Sequence, residues 1–203
     1  MRKITNFVAL GFTFGLATAA MAQDKEPVDG HAKTLVILAH PAANNIKLSV
    51  TTPAYQNGAD MPYENTQYRG NIFPGLNWSA GPKGTKSYVL VMQGVLPKGD
   101  MTSIHFTLFN VPANVTGLPA GLTMPPEGST YGVNVHGANQ AYSGPHTHTP
   151  AKQAYHLQVL ALDTVIDSSA KSNFPALEAA MDGHVLASGE VVGMSAKDPE
   201  SKE

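Results

Sequence analysis

The apolar residues of this chain recur mostly at every second position, in short runs stopped by glycine and proline. That pattern admits a sheet and little else. Ile46, Leu48 and Val50 alternate with Lys47 and Ser49, the period of a half-buried strand. Ile104, Phe106 and Leu108 alternate with His105 and Thr107, which places the apolar three on the opposite face from His105. Tyr155, Leu157, Val159 and Ala161 alternate with His156 and Gln158. Residues 87–92, Ser-Tyr-Val-Leu-Val-Met, are continuously apolar after the serine and suit a central strand. Residues 33–38 are expected to form a further strand stopped by Pro41. Turn-forming clusters around Pro82, Gly121 and Pro125 separate these runs.

One helix is predicted over 175–183. Ser172 and Asn173 can cap it, and Pro175 fits its first turn, where a missing N–H costs little. Phe174, Leu177, Met181 and Val185 share one face, and Gly183 or Gly189 can end it. A last strand follows near 190–194. Many strands with few helices predict a mainly β sandwich or barrel-like fold.

The ends read differently. Arg2 and Lys3 precede an apolar run from Phe7 to Met21, and Ala20-Met21-Ala22 has the small-x-small pattern of a signal-peptidase site. Residues 1–22 are therefore expected to be a secretory signal, with a periplasmic or secreted mature chain. The run is shorter than the roughly 20 apolar residues of a membrane span, so no integral membrane segment is expected after cleavage. Residues 23–45 form a lead-in with the possible strand, polar and flexible from Asp24 to Ala32. Residues 46–196 form one domain, and 197–203 are expected to be a solvated tail without an apolar residue to bury.

Composition narrows the chemistry. There is no cysteine, so disulfides, thiol catalysis and thiolate metal ligation are excluded. The formal net charge is −2 and basic residues are scattered, which gives no nucleic-acid footprint. No Gly-x-Ser-x-Gly elbow, phosphate loop, Gly-x-Gly-x-x-Gly or His-Glu-x-x-His is present. Nothing marks the chain as an enzyme.

An ordered series of segments says more. Tyr68-Arg-Gly-Asn71 leads to Phe73-Pro-Gly-Leu-Asn-Trp78; Gly84-Thr-Lys-Ser87, His105-Phe106, Asn110-Val-Pro-Ala113, Tyr142-Ser-Gly-Pro145 and Ala161-Leu-Asp163 follow. Together these resemble the phosphatidylethanolamine-binding protein family, the Raf-kinase-inhibitor-like proteins, in its bacterial branch. The resemblance spans about 48–194. It implies a β-sandwich with a C-terminal helix and short peripheral helices, and one small anion-binding pocket.

The departures fall on that pocket. Where the family has Asp-Pro-Asp-x-Pro, this chain has Gly94-Val-Leu-Pro-Lys98, and both acidic positions are lost. The family's Gly-Pro-Cys-Pro-Pro becomes Gly144-Pro145-His146-Thr147-His148, and its His-Arg-Tyr becomes Gln153-Ala154-Tyr155. The pocket residues then implied are His105, Tyr142, Gly144, Pro145, His146, His148 and Tyr155, with Trp78 in the core.

The reading that follows is an exported, non-enzymatic binding protein for a small anion or phospholipid head group, without a cofactor. Its histidines are expected to bind an anion best when protonated, below their ordinary pKa of about 6.5. Two alternatives stand beside it. His146 and His148, two residues apart in an extended segment, point to one side and with His105 would make a zinc or copper site, in a metal-binding protein or a metal-dependent hydrolase. Otherwise the pocket is vestigial and the protein is an interaction or inhibitor module.

Overall fold

The computed structural model describes residues 30–97, 99 and 101–202. The expected signal at 1–22 lies outside these residues. Among the described residues nine strands run in chain order: β1 His31–Ala32, β2 Val50–Thr51, β3 Leu76–Trp78, β4 Ser87–Val95, β5 Thr102–Pro112, β6 Gly117–Leu118, β7 Thr130–Tyr131, β8 Gln153–Leu162 and β9 Val185–Ser195. Two α-helices accompany them, α1 Val36–Ala39 and α2 Phe174–Met181. The large sheet has the order β1-β5-β4-β8-β9, with β7 also on β5, and the small sheet has the order β2-β3-β6. All the strand pairs are antiparallel.

The large sheet is covered on both faces, which explains the unbroken apolar run in β4. Tyr88, Leu90 and Met92 join Phe106, Leu157 and Val159 in a core shared with Leu76 and Trp78 of the small sheet. Val89 and Val91 face the other way, into a second core with Leu160, Leu162 and the α2 residues Phe174, Leu177 and Met181. Asn173 caps α2, its Oδ1 accepting from Ala176 N at 3.2 Å, and Gly183 follows the helix at φ +75°. Val185 begins β9 instead of extending the helical face.

Three expectations require correction. Residues 33–38 are not a strand: the short helix α1 starts at Val36. Its first N–H groups, orphaned at any helix start, find two buried glutamines of the sheet. Val36 N donates to Gln93 Oε1 at 2.7 Å and Ile37 N to Gln158 Oε1 at 3.0 Å. Gln158 Nε2 in turn donates to Gln93 Oε1 at 2.8 Å, and Gln93 Nε2 to Thr34 O at 2.9 Å. A buried polar pair, Gln93 of β4 and Gln158 of β8, thus holds α1 against the sheet. Within the lead-in, His31 and Ala32 pair with Ser103 and Thr102.

The face assignment on β5 also changes. Met92 pairs with Phe106 and Gln93 with Ile104, so His105 is an extra residue opposite no partner on β4. This bulge turns Ile104 into the second core while Phe106 and Leu108 stay in the first.

The tail, finally, is anchored. Asp198 is buried and paired with Arg69, and Lys197 N donates to Thr149 O at 2.8 Å. A charged segment needs no apolar residue to dock when a cation on the domain neutralises its carboxylate.

Candidate ligand site

The bulge on β5 aims His105 at the loop that follows Tyr142. His105 Nδ1 donates to Ser143 O at 2.9 Å, and Ser143 N donates back to His105 O at 2.9 Å. Because a carbonyl can only accept, the proton sits on Nδ1. The Ser103 hydroxyl then donates to Nε2, at 2.9 Å. Tyr155 packs edge-on to the imidazole, with ring centroids 5.1 Å apart. Both ring nitrogens are satisfied and the residue is 6 % exposed. Burial pushes its pKa down to about 4. His105 is therefore a neutral imidazole that positions the loop, and the expectation that it binds anions by protonating near neutrality is overturned by this burial.

Segment 67–71 grips the same loop from the other side. Gln67 Nε2 donates to Gly144 O at 2.7 Å and to Ser143 Oγ at 3.1 Å, and Gln67 N donates to Pro145 O at 3.0 Å. Asn71 Oδ1 accepts from Gly144 N at 2.6 Å, while Tyr68 OH donates to Thr147 O at 2.8 Å. Asn71 adopts φ +56°, a left-handed conformation that asparagine tolerates better than most residues. Gly144 must be glycine: a Cβ there would lie 2.4 Å from Asn65 O.

Of the residues expected at the site, His105, Gly144 and Pro145 meet through this loop. Tyr142 is core, its hydroxyl donating to Asn65 O at 2.6 Å and its ring set edge-on to Phe73. Tyr155 is also buried, its hydroxyl bonded to that of Thr147 at 2.9 Å. Trp78 is core, as expected. His146 is half-buried, with its ring 4.7 Å from that of Tyr68 and 4.6 Å from that of the exposed His148. These two histidines lie together, but among the described residues no three His, Asp or Glu side chains assemble to hold a metal.

Sequence reasoning missed Gln67, Asn71, Ser103, Ser143 and Thr147, the polar groups that close the site; His136, which it allowed to approach the loop, lies with Nε2 2.9 Å from Ser143 Oγ. Ser143 and Thr147 stood inside quoted motifs and Asn71 beside a glycine. Their roles depend on the β5 bulge, which leaves no trace in the periodicity.

The missing acids have a steric counterpart. A Cβ on Gly94 would lie 2.6 Å from Tyr155 Cε1 and 3.0 Å from Ser103 Oγ. The Tyr155 ring fills the space that a side chain at 94 needs. Gly94→Ala is expected to destabilise the fold by about 1–3 kcal/mol through overpacking. In a Tyr155→Ala background the same change should cost markedly less, as a double-mutant cycle by urea denaturation will measure. Equal costs in both backgrounds would rule out this contact.

Comparison with known proteins agrees with this architecture. The family model described as phosphatidylethanolamine-binding protein matches residues 51–196. The UPF0098 protein of Methanothermobacter thermautotrophicus is 29 % identical over 150 residues, covering 72 % of this chain and 97 % of that protein. The UPF0098 protein of Chlamydia trachomatis is 28 % identical over 155 residues, covering 74 % of this chain and all (100 %) of that one. Among solved structures, a phosphatidylethanolamine-binding protein homologue from Chlamydia trachomatis superposes with a TM-score of 0.66 at 27 % identity, over 75 % of this chain and 99 % of that chain. Escherichia coli YbcL, described as a member of the mammalian family, gives 0.66 at 25 % identity with the same coverage. The chain belongs to the phosphatidylethanolamine-binding protein family and has its mainly β fold.

Proposed function

We propose that this protein is an exported, non-enzymatic binding protein that takes a small phosphate- or carboxylate-bearing ligand, free or as a lipid head group, at the 143–147 loop beside His105. The observation that carries this reading is the convergence of hydrogen-bonding groups on one loop. Gln67, Ser143, Thr147, Tyr155 and His136 gather there around a fixed imidazole tautomer. In the resting state these groups bond one another, and a ligand exchanges with them bond for bond. No cofactor is needed. Export rests on the basic start, apolar run and Ala20-Met21-Ala22 of the sequence.

Because His105 stays neutral down to about pH 4, it does not hold the ligand as a cation. Calorimetric titration of inorganic phosphate and of phosphoethanolamine into wild-type and Ser143→Ala protein tests the site. At least one probe should bind, and Ser143→Ala should weaken it by roughly tenfold, the effect of one lost hydrogen bond. Undiminished affinity in Ser143→Ala, or no binding of either probe to any form, overturns the reading. Phosphoethanolamine bound in preference to phosphate points to a lipid head group; equal binding points to a free anion.

A further inference from the structure

The chain continues past the family match, and residues 197–202 fold back onto the strip that closes the site. Arg69 makes a two-pronged ion pair with Asp198, through Nε to Oδ2 and through Nη2 to Oδ1 at 2.9 Å, and reaches Glu200 Oε2 at 2.8 Å. Its guanidinium lies over the Tyr63 ring, 5.1 Å from the centroid. The Asp198 side chain is 3 % exposed, and Oδ1 also accepts from Glu200 N at 2.9 Å. Lys197 is tied at both ends of its peptide, its N–H to Thr149 O and its carbonyl to Tyr63 OH at 3.4 Å. A cleft of about 410 Å³ lies between residues 67–69 and this segment, lined by Gln67, Tyr68, Arg69, Asp198, Glu200 and Lys202 among others.

The position of Arg69 gives this clasp its significance. The two residues before it, Gln67 and Tyr68, are the ones that hold Gly144, Pro145 and Thr147. The tail also bonds Thr149, two residues past the loop. One short segment thus pins both sides of the closure.

Resting on the ligand reading above, we propose that residues 197–202 are a latch: docked, they keep the 143–147 loop closed over His105, and their release opens the site to ligand. Bidentate, charge-assisted pairing is strong enough to hold such a strap, and the partly exposed Arg69 leaves it accessible to competing anions or salt. Gln67, Tyr68 and Asn71 all hydrogen-bond to the loop, so freeing one segment loosens the other.

The test uses the full chain carrying Asp198→Asn with Glu200→Gln, which keeps side-chain shape and removes both charges, and separately Arg69→Gln. Amide hydrogen exchange is read at Gln67, Ser143 and Gly144, with Leu90 and Val159 as central-strand controls. Both variants should exchange about tenfold faster or more at the three site amides, with the controls unchanged. Phosphoethanolamine and inorganic phosphate are then titrated into wild type and both variants, and the probe that binds should do so more tightly in the variants by a similar factor. Unchanged site exchange overturns the latch, as does acceleration that spreads equally to Leu90 and Val159, the mark of a general brace. Faster site exchange with no binding of either probe leaves the latch standing and overturns the ligand reading. Wild-type binding with unchanged exchange does the reverse.

Discussion

Phe106→Ala should lower the stability of the protein by about 3–5 kcal/mol, the usual cost of emptying a large buried aromatic site. Phe106 is fully buried in the core between the sheets. Its ring lies 5.0 Å from that of Phe73 and 6.2 Å from that of Tyr131, so truncation removes aromatic contacts as well as apolar burial. Collapse into the cavity is hindered because Phe106 directly follows the bulged His105, whose two ring bonds fix the backbone. Urea unfolding at constant m-value is the check. An unchanged midpoint would mean that Phe106 does not face this core.

Stability should peak near pH 6.5 and fall on both sides, for two separate reasons. His105 has its pKa lowered to about 4 by burial, so the folded state refuses a proton that the unfolded chain accepts near 6.5. Its contribution is complete above 6.5 and is lost as pH falls towards 4. A shift of that size corresponds to about 3 kcal/mol. His40 behaves oppositely. Glu178, 3.9 Å from Nε2, chiefly raises its pKa, and Asp182, 2.8 Å from Nδ1, adds to the effect. Its contribution is present below 6.5 and is lost as pH rises through the raised folded value. The two windows do not overlap, so they can be separated by mutation. His105→Gln should flatten the acid limb and leave the alkaline one, and His40→Asn should do the converse in denaturation series across pH. An acid limb that survives His105→Gln would assign it to carboxylates instead.

The extent to which this architecture was legible depends on what each residue answers to. Leu90 and Met92 answer to burial alone, and an unbroken apolar run announces that. Asn173 and Pro175 carry local chemistry that suits one end of one helix, and α2 lies where they placed it. The family segments were legible as an ordered set, which is why the fold followed. Residues 33–38 read as a strand because β-branched and large apolar residues prefer one. They coil instead because Gln93 and Gln158, far away in sequence, supply acceptors for the first turn. Ile104 was assigned to the wrong face because period two survives only as far as a bulge. At the site, His105 and the 144–145 wall were legible by resemblance. The partners of His105 were not, since a histidine's protonation is set by its surroundings, and here Ser103, Ser143 and Tyr155 come together from distant parts of the chain. The docked tail escaped notice because a lone acidic side chain carries no mark of the arginine that waits for it.

The glutamine pair beneath α1 has a consequence for how the chain comes apart. If residues 34–37 lifted away, Gln93 would keep Gln158 and Thr102 but lose Thr34 O and Val36 N, Gln158 Oε1 would lose its helix donor, and two backbone N–H groups would lose buried acceptors. The opening turn of the described chain therefore does not fray one residue at a time. It melts with the central strands or not at all, so a peripheral segment shares the cooperativity of the deepest part of the sheet.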